Sequence, residues 1–169
     1  VGPQIERIRV GVVLASPDRM QPEIPLRGPQ THAVIGAGFE VNRVLGCGFL
    51  EQVYQDALAL EFAERNVPFE RQVGLRIMFK GRVLPSFYRV DSVCFGELLV
   101  ELKASVQILP IDQAQMINYL KATRFERGLI LNFGVRSLEW KRFVFSEALH
   151  AARNDDLPRG GGADEGTNP

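Results

Sequence analysis

Asp91 and the run Val100-Glu101-Leu102-Lys103 set two carboxylates and an ammonium within apolar, strand-like sequence. Side chains along a strand alternate faces, so Glu101 and Lys103 project to one side and Leu102 to the other. Leu98, Leu99, Val100 and Leu102 leave no polar alternation, the pattern of a central strand covered on both faces. An acid and a base in such a strand are costly unless they pair or hold a metal. A preceding strand, Phe87 to Cys94, carries Asp91 and can lie beside that face. Carboxylate oxygens favour Mg²⁺ or Mn²⁺ over zinc. Such an ion would polarise a phosphate oxygen and lower the pKa of a bound water. Lys103 would orient that water or offset charge developing on the phosphorus group. Two plainer readings stand beside this one: a solvated strand edge, or Lys103 salt-bridged to Asp91 with no ion.

Other residues could join the cluster. Glu51 shares a helical row with Tyr54, Leu58 and Phe62 and could lean into the cleft as a third metal ligand. Glu61 and Glu64 on the same helix are rivals, Glu40 on the helix before it is another, and a helix N-terminus welcomes any Glu in its first turn. Gln115 and Tyr119 lie four apart on a helix and share a face. Gln115 could bond a phosphate or a metal-bound water, and Tyr119 could stack on a base or bond a phosphate. Arg71, Arg76, Lys80, Arg82 and Arg89, and separately Lys121, Arg124 and Arg127, could track a phosphate backbone, although a solvated face explains most of them. No GxGxxG, Walker lysine loop or GxSxG elbow supports a nucleotide-dependent or serine-hydrolase reading.

Periodicity gives the helices and strands that carry these residues. Thr31 is expected to cap a helix with Val34, Gly38, Val41 and Leu45 on its inner face, broken by Gly46-Cys47-Gly48. A second helix runs from about Phe49 to Arg65, with Leu50, Val53, Tyr54, Ala57 and Leu58 inward, and stops at Asn66 and Pro68. Strands are expected at Phe69 to Phe79, Phe87 to Cys94 and Leu98 to Leu102, with turns at Lys80-Gly81 and Gly96-Glu97. Pro110 and Asp112 open a third helix reaching about Thr123. Arg127 to Phe133 is a further strand and Lys141 to Phe145 another. This order predicts an α/β sandwich with a mixed sheet.

Composition bounds the rest. The 169 residues are 46% hydrophobic and 24% charged, enough for one domain with a real core. The net charge is zero, so a polyanion would have to meet a local basic patch. Residues 1–30 hold Pro3, Pro17, Pro22, Pro25 and Pro29 and read as a loosely ordered leader with one short strand at Ile8 to Leu14. Residues 31–147 form the expected domain, and 148–169, with Gly160-Gly161-Gly162, a disordered tail. A chain opening on Val1 is expected to be processed, trimmed or mis-started. Cys47 and Cys94 are expected to be buried structural thiols, and His32 and His150 lie too far apart for a histidine zinc site. No apolar run approaches the roughly 20 residues that cross a bilayer, and a cytoplasmic location is the default expectation. Monomer and homodimer both stay open.

Gly48-Phe49-Leu50-Glu51-Gln52-Val53-Tyr54 is a GxxExxY segment, preceded by Gly36-Ala37-Gly38-Phe39-Glu40-Val41 and Leu45-Gly46. With Tyr88-Arg89-Val90-Asp91, Val100 to Ala104 and Ala114 to Leu120, the chain resembles the GxxExxY protein family of the PD-(D/E)XK nuclease superfamily, from about Thr31 to Phe145. The resemblance implies an αβββαβ restriction-endonuclease-like core and a divalent-metal phosphodiesterase site at Asp91, Glu101 and Lys103. It aligns Gln115 and Tyr119 with the QxxxY helix of the RecB-like branch as substrate-positioning residues, and Glu51 with the signature glutamate that completes the metal site. Asn42 stands where that family commonly has His, and Cys47 where it has Pro. Together these readings predict a Mg²⁺- or Mn²⁺-dependent nuclease acting on nucleic acid, DNA ahead of RNA, with catalytic Asp91, Glu101, Lys103 and Glu51. The rival is a non-catalytic module on the same fold that binds nucleic acid or protein.

Overall fold

The structure is a computed structural model and describes residues 28–146. The expected strand at Ile8 to Leu14, nearly all of the leader and the tail lie outside the described residues. Helix α1 spans Pro29–Leu45 and α2 spans Glu51–Glu64; strands β1 (Phe69–Phe79), β2 (Arg82–Cys94) and β3 (Leu98–Lys103) follow, then α3 (Pro110–Thr123), β4 (Arg127–Asn132) and β5 (Glu139–Val144). The five strands form one sheet in sequence order. β1, β2 and β3 are antiparallel neighbours, β3 and β4 are parallel, and β5 returns antiparallel to β4. A parallel pair needs a crossover connection, and α3 supplies it between β3 and β4.

Each face of the sheet has its own core. Leu98, Val100 and Leu102 of β3 join Leu129 and Leu131 of β4 under α1 and α2, where Val34, Val41, Tyr54, Leu58 and Phe62 meet them. Leu99 and Ile130 face the other way, toward Met116, Tyr119 and Leu120 of α3. β3 is therefore covered on both sides, as its unbroken apolar run requires. The α/β class and mixed sheet agree with the expectation.

Several details differ from the sequence reading. Helix α1 starts at Pro29 with Gly28 as N-cap, so Thr31 is a buried residue of the first turn and not the cap. Proline suits that first position because its missing N–H would go unbonded there. In α2 the inward stripe is Tyr54, Leu58 and Phe62, while Leu50 and Val53 are exposed. β2 begins at Arg82 and β5 at Glu139, each earlier than the apolar pattern implied. Cys94 is buried as expected, but Cys47 is exposed in the loop between α1 and α2.

Candidate active site

The β2–β3 ladder runs from Cys94–Leu98 to Ser92–Val100 and stops there, just before Asp91 and Glu101. Where the strands part, side chains take over the main-chain bonding. Asp91 Oδ2 accepts the Leu102 N–H at 2.8 Å. In return, the Asp91 N–H favours the ionised form of Glu101. The two carboxylates are thus built into the gap between the strands, and Lys103 follows Glu101 on the same side.

Three elements converge on this gap. From α2, Gln55 Nε2 donates to Asp91 Oδ1 at 2.8 Å and reaches Glu51 Oε1 at 3.4 Å. From β1, Gln72 Nε2 donates to Asp91 Oδ1 at 3.1 Å. From α3, Gln115 Oε1 accepts from Lys103 Nζ at 3.3 Å, and Asp112 Oδ1 lies 3.8 Å from the same ammonium. Lys103 Nζ also bonds Glu101 Oε1 at 3.2 Å. The Lys103–Asp91 salt bridge of the plainer, ion-free reading is not the one that forms: the ammonium pairs with Glu101 and lies near Asp112.

The electrostatics are those of a crowded acidic pocket. Glu101 is only 7% exposed, and burial, with the Asp91 charge beside it, pushes its pKa up to about 7 against the pull of Lys103. Burial also raises Asp91, opposed by the Leu102 and Gln72 hydrogen bonds. Glu51 rises through burial and the nearby Asp91. Burial pulls Lys103 down, yet Glu101, Glu51 and Asp112 outweigh it and leave the ammonium above its ordinary value. The pocket holds more negative charge than one lysine can balance.

Do these residues suit a cation? Oε2 of Glu101 is buried and accepts no hydrogen bond, a costly state for a carboxylate oxygen that a hard divalent ion would relieve. The donors present are carboxylate oxygens, the set Mg²⁺ and Mn²⁺ take. One expectation needs correction. Among the described residues no three His, Cys, Asp or Glu side chains stand together ready to hold a metal, so Asp91, Glu101 and Glu51 are not an assembled triad. The Gln55 amide bonds both Glu51 and Asp91, and Lys103 draws one Glu101 oxygen to itself. Glu101 keeps one oxygen for an ion and Glu51 is held only through Oε1 by the 3.4 Å Gln55 bond, whereas both Asp91 oxygens already accept hydrogen bonds, so Asp91 would have to share them with a cation.

The rival acids lie elsewhere. Glu40 is tied to Arg43 on the surface, Glu61 to Arg65, and Glu64 is exposed. Tyr119 shares the Gln115 face as expected but is 2% exposed, and its hydroxyl donates to the Arg89 carbonyl at 3.1 Å. Its ring packs against Tyr88 at 5.2 Å, so no open face remains for a base. Asp112, Gln55 and Gln72 also belong to the site, beyond the residues that sequence reasoning assigns to it. Asp112 lies three residues before Gln115 and Gln55 four after Glu51, so helical spacing alone could have found these two.

The GxxExxY segment has a structural use as well. The Tyr54 hydroxyl donates to Gly46 O at 2.9 Å and accepts the Phe49 N–H at 3.2 Å, and its ring stacks on Phe133 at 4.7 Å. Tyr54 thus pins the loop that delivers Glu51. Asn42 is buried on α1 with its Nδ2 unpartnered.

The site thus lies in a mixed α/β sheet whose antiparallel β2 and β3 part around Asp91 and the Glu101-Leu102-Lys103 run. A family model described as the PD-(D/E)XK nuclease superfamily matches residues 29–143, and the chain belongs to that superfamily. No curated protein matches the chain. Among solved structures, the crystal structure of SSO0001 is similar at 18% identity over 75% of this chain and 63% of its own, with a TM-score of 0.43. The chain thus spans less than two thirds of that protein. An alkaline exonuclease from Laribacter hongkongensis is similar at 12% identity over 77% of this chain and 78% of its own, with a TM-score of 0.44.

Proposed function

We propose that this protein is a divalent-metal-dependent nuclease that hydrolyses DNA phosphodiesters, and that within the superfamily it belongs with the GxxExxY proteins of the RecB-like branch. The observation that carries the reading is the buried, unpartnered Glu101 oxygen set beside Asp91, with Lys103 Nζ 3.2 Å from the other Glu101 oxygen. Asp91 and Glu101-Leu102-Lys103 would supply the acidic residue and the ExK of the superfamily signature.

Asp91 and Glu101 would hold Mg²⁺ or Mn²⁺, with Glu51 recruited from its Gln55 bond. Such an ion, when bound, supplies Lewis acidity toward a phosphate oxygen and a supply of nucleophilic water near neutral pH. The remaining work falls to the chain. Lys103 carries a positive charge where a phosphoryl group gains negative charge, and Gln115 fixes where that ammonium points. Tyr119 serves from below, holding α3 to the Arg89 main chain.

Purified protein incubated with single- and double-stranded DNA and RNA in Mg²⁺ or Mn²⁺ is expected to cleave DNA, and chelator should stop it. Asp91→Ala and Lys103→Ala are each expected to lower the rate at least about a hundredfold while circular dichroism stays unchanged. Cleavage that survives in Asp91→Ala would end the proposal.

A second reading draws on the pairing of Lys103 with both Glu101 and Asp112: a self-neutralising charge cluster in a non-catalytic binding module. Its sign would be DNA retained without cleavage, indifferent to chelator. Titration calorimetry with Mn²⁺ separates the two, since a self-neutralised cluster gives no binding heat.

A further inference from the structure

The β1–β2 hairpin reaches past the rest of the sheet. β3 pairs with β2 only at Ser92, Val93 and Cys94, whereas β1 accompanies β2 out to the turn at Lys80 and Gly81. Alternation and cross-strand register decide what each face of this arm carries. Val73, Leu75, Tyr88 and Val90 lie on the face packed against α3. On the other face Arg76 stands opposite Phe87, and Gly74 opposite Arg89.

That second face is open to solvent. Phe87 is 58% exposed, and Gly74, Arg76 and Arg89 are exposed with it. A Cβ at Gly74 would meet only the Phe87 ring, at 3.8 Å, so the glycine leaves the ring lying beside bare backbone. The aromatic ring thus shares one face with Arg76, directly across from it, and Arg89, two residues along β2.

Its charge is one-sided. No Asp or Glu occurs between Arg71 and Val90, while Arg76, Lys80, Arg82 and Arg89 are all exposed. In a chain of zero net charge this arm is a local positive field. A merely solvated face would explain the cations but not a bare phenyl ring among them. The same face also leads to Asp91: Phe87, Arg89 and Asp91 alternate along β2, and Gln72, next to Gly74 in the β1 alternation, donates to Asp91 at 3.1 Å. Four strand residues put the ring about 13 Å from Asp91.

Guanidinium groups suit phosphates, and an exposed ring suits the face of an unpaired base, which a duplex hides in its stack. We propose that the outer face of the β1–β2 hairpin docks single-stranded nucleic acid. Phe87 stacks on an unpaired base, Arg76 and Arg89 contact the neighbouring phosphates, and the strand leads along β2 toward Asp91. The link to cleavage rests on the nuclease reading; the docking itself does not.

Fluorescence anisotropy in chelator, with a labelled oligothymidine and a duplex of equal length, tests it on the full chain. The single strand is expected to bind about tenfold or more tighter than the duplex. Phe87→Ala should weaken single-strand binding about tenfold. Arg76→Gln should reduce the salt slope by about 0.7. Both side chains are exposed, and unchanged melting temperatures would exclude misfolding. Equal affinity for the two probes, or single-strand binding untouched in both variants, overturns the proposal. The readouts separate the two ideas. Binding with this dependence but no cleavage in Mg²⁺ or Mn²⁺ keeps the docking face and discards the nuclease. Cleavage of single strands with kcat and KM unchanged in Phe87→Ala and Arg76→Gln does the reverse.

Discussion

Glu101 is a carboxyl group whose surroundings oppose its charge, and the consequence is measurable without any substrate. Its pKa is pushed up from the ordinary glutamate range to about 7, mainly by burial and then by Asp91. A carboxyl raised on folding binds its proton more tightly folded than unfolded. The stability this confers is fully present below about pH 4.5, where both states are protonated, and it is lost as pH rises through about 7. The loss is roughly 3 kcal/mol at most. Asp91 and Glu51 are also raised, so they act in the same direction. Lys103 is raised too, but its contribution falls away only at strongly alkaline pH. In chelator, urea midpoints of the unmutated protein should therefore fall between pH 5 and pH 8. Glu101→Gln, which carries no charge to bury, should show a shallower fall and be the more stable of the two at pH 8. Parallel pH dependence in the two proteins would mean that Glu101 ionises freely.

At the scale of elements, what matters is how the loop from β3 to α3 is held, because it sets Asp112 and Gln115 against Lys103. Asn132, at the end of β4, is fully buried and brackets Ser105: its Oδ1 accepts the Ser105 N–H at 3.0 Å and its Nδ2 donates to Ser105 O at 2.9 Å. Glu139 on β5 accepts from Asn132 Nδ2 at 2.9 Å and from the Ile108 N–H at 3.1 Å. Gly134 lies against the same residue so closely that an added Cβ would stand 2.2 Å from Ser105 O and 2.3 Å from its N. Those neighbours are backbone and cannot swing aside. Gly134→Ala is expected to cost about 1–3 kcal/mol or more in urea denaturation and to lower cleavage by displacing the start of α3. Unchanged stability would show that this loop can move at little cost.

The order of elements was legible because each apolar run had its own period, and the Asp91, Glu101 and Lys103 cluster because charges in so apolar a strand need a reason. Early strand starts were not. Pro85 argues against extending β2 back to Arg82. Yet the register jumps from Arg76–Phe87 to Met78–Val83, and Pro85 falls in the unpaired stretch between. Thr31 is as good a cap as Gly28 by residue type, and it is Pro29, suited to the first helical position, that favours Gly28. Gln72 could not be assigned to the site by pattern, since tertiary packing alone brings it to Asp91.

For the whole molecule, an ion at the strand gap would act on global stability, because any ligand that binds only the folded state shifts the unfolding equilibrium. The shift is about 2.7 kcal/mol when free ion reaches a hundredfold excess over Kd, several degrees in melting temperature for a domain of this size. Proton and cation compete for the same oxygens of Asp91 and Glu101, both of which are raised. The rise caused by Mn²⁺ should therefore be larger at pH 8 than at pH 5.5. The double variant Asp91→Asn, Glu101→Gln keeps the shape of the pocket and removes its charge, so its melting temperature should not respond to Mn²⁺. Three outcomes are distinct. A pH-dependent rise lost in the double variant places the ion between the parted strands. An equal rise in both proteins places it elsewhere. No rise in either leaves Lys103 as the pocket's own counter-ion, and then the chain keeps the architecture of its superfamily without the cation the proposed chemistry requires.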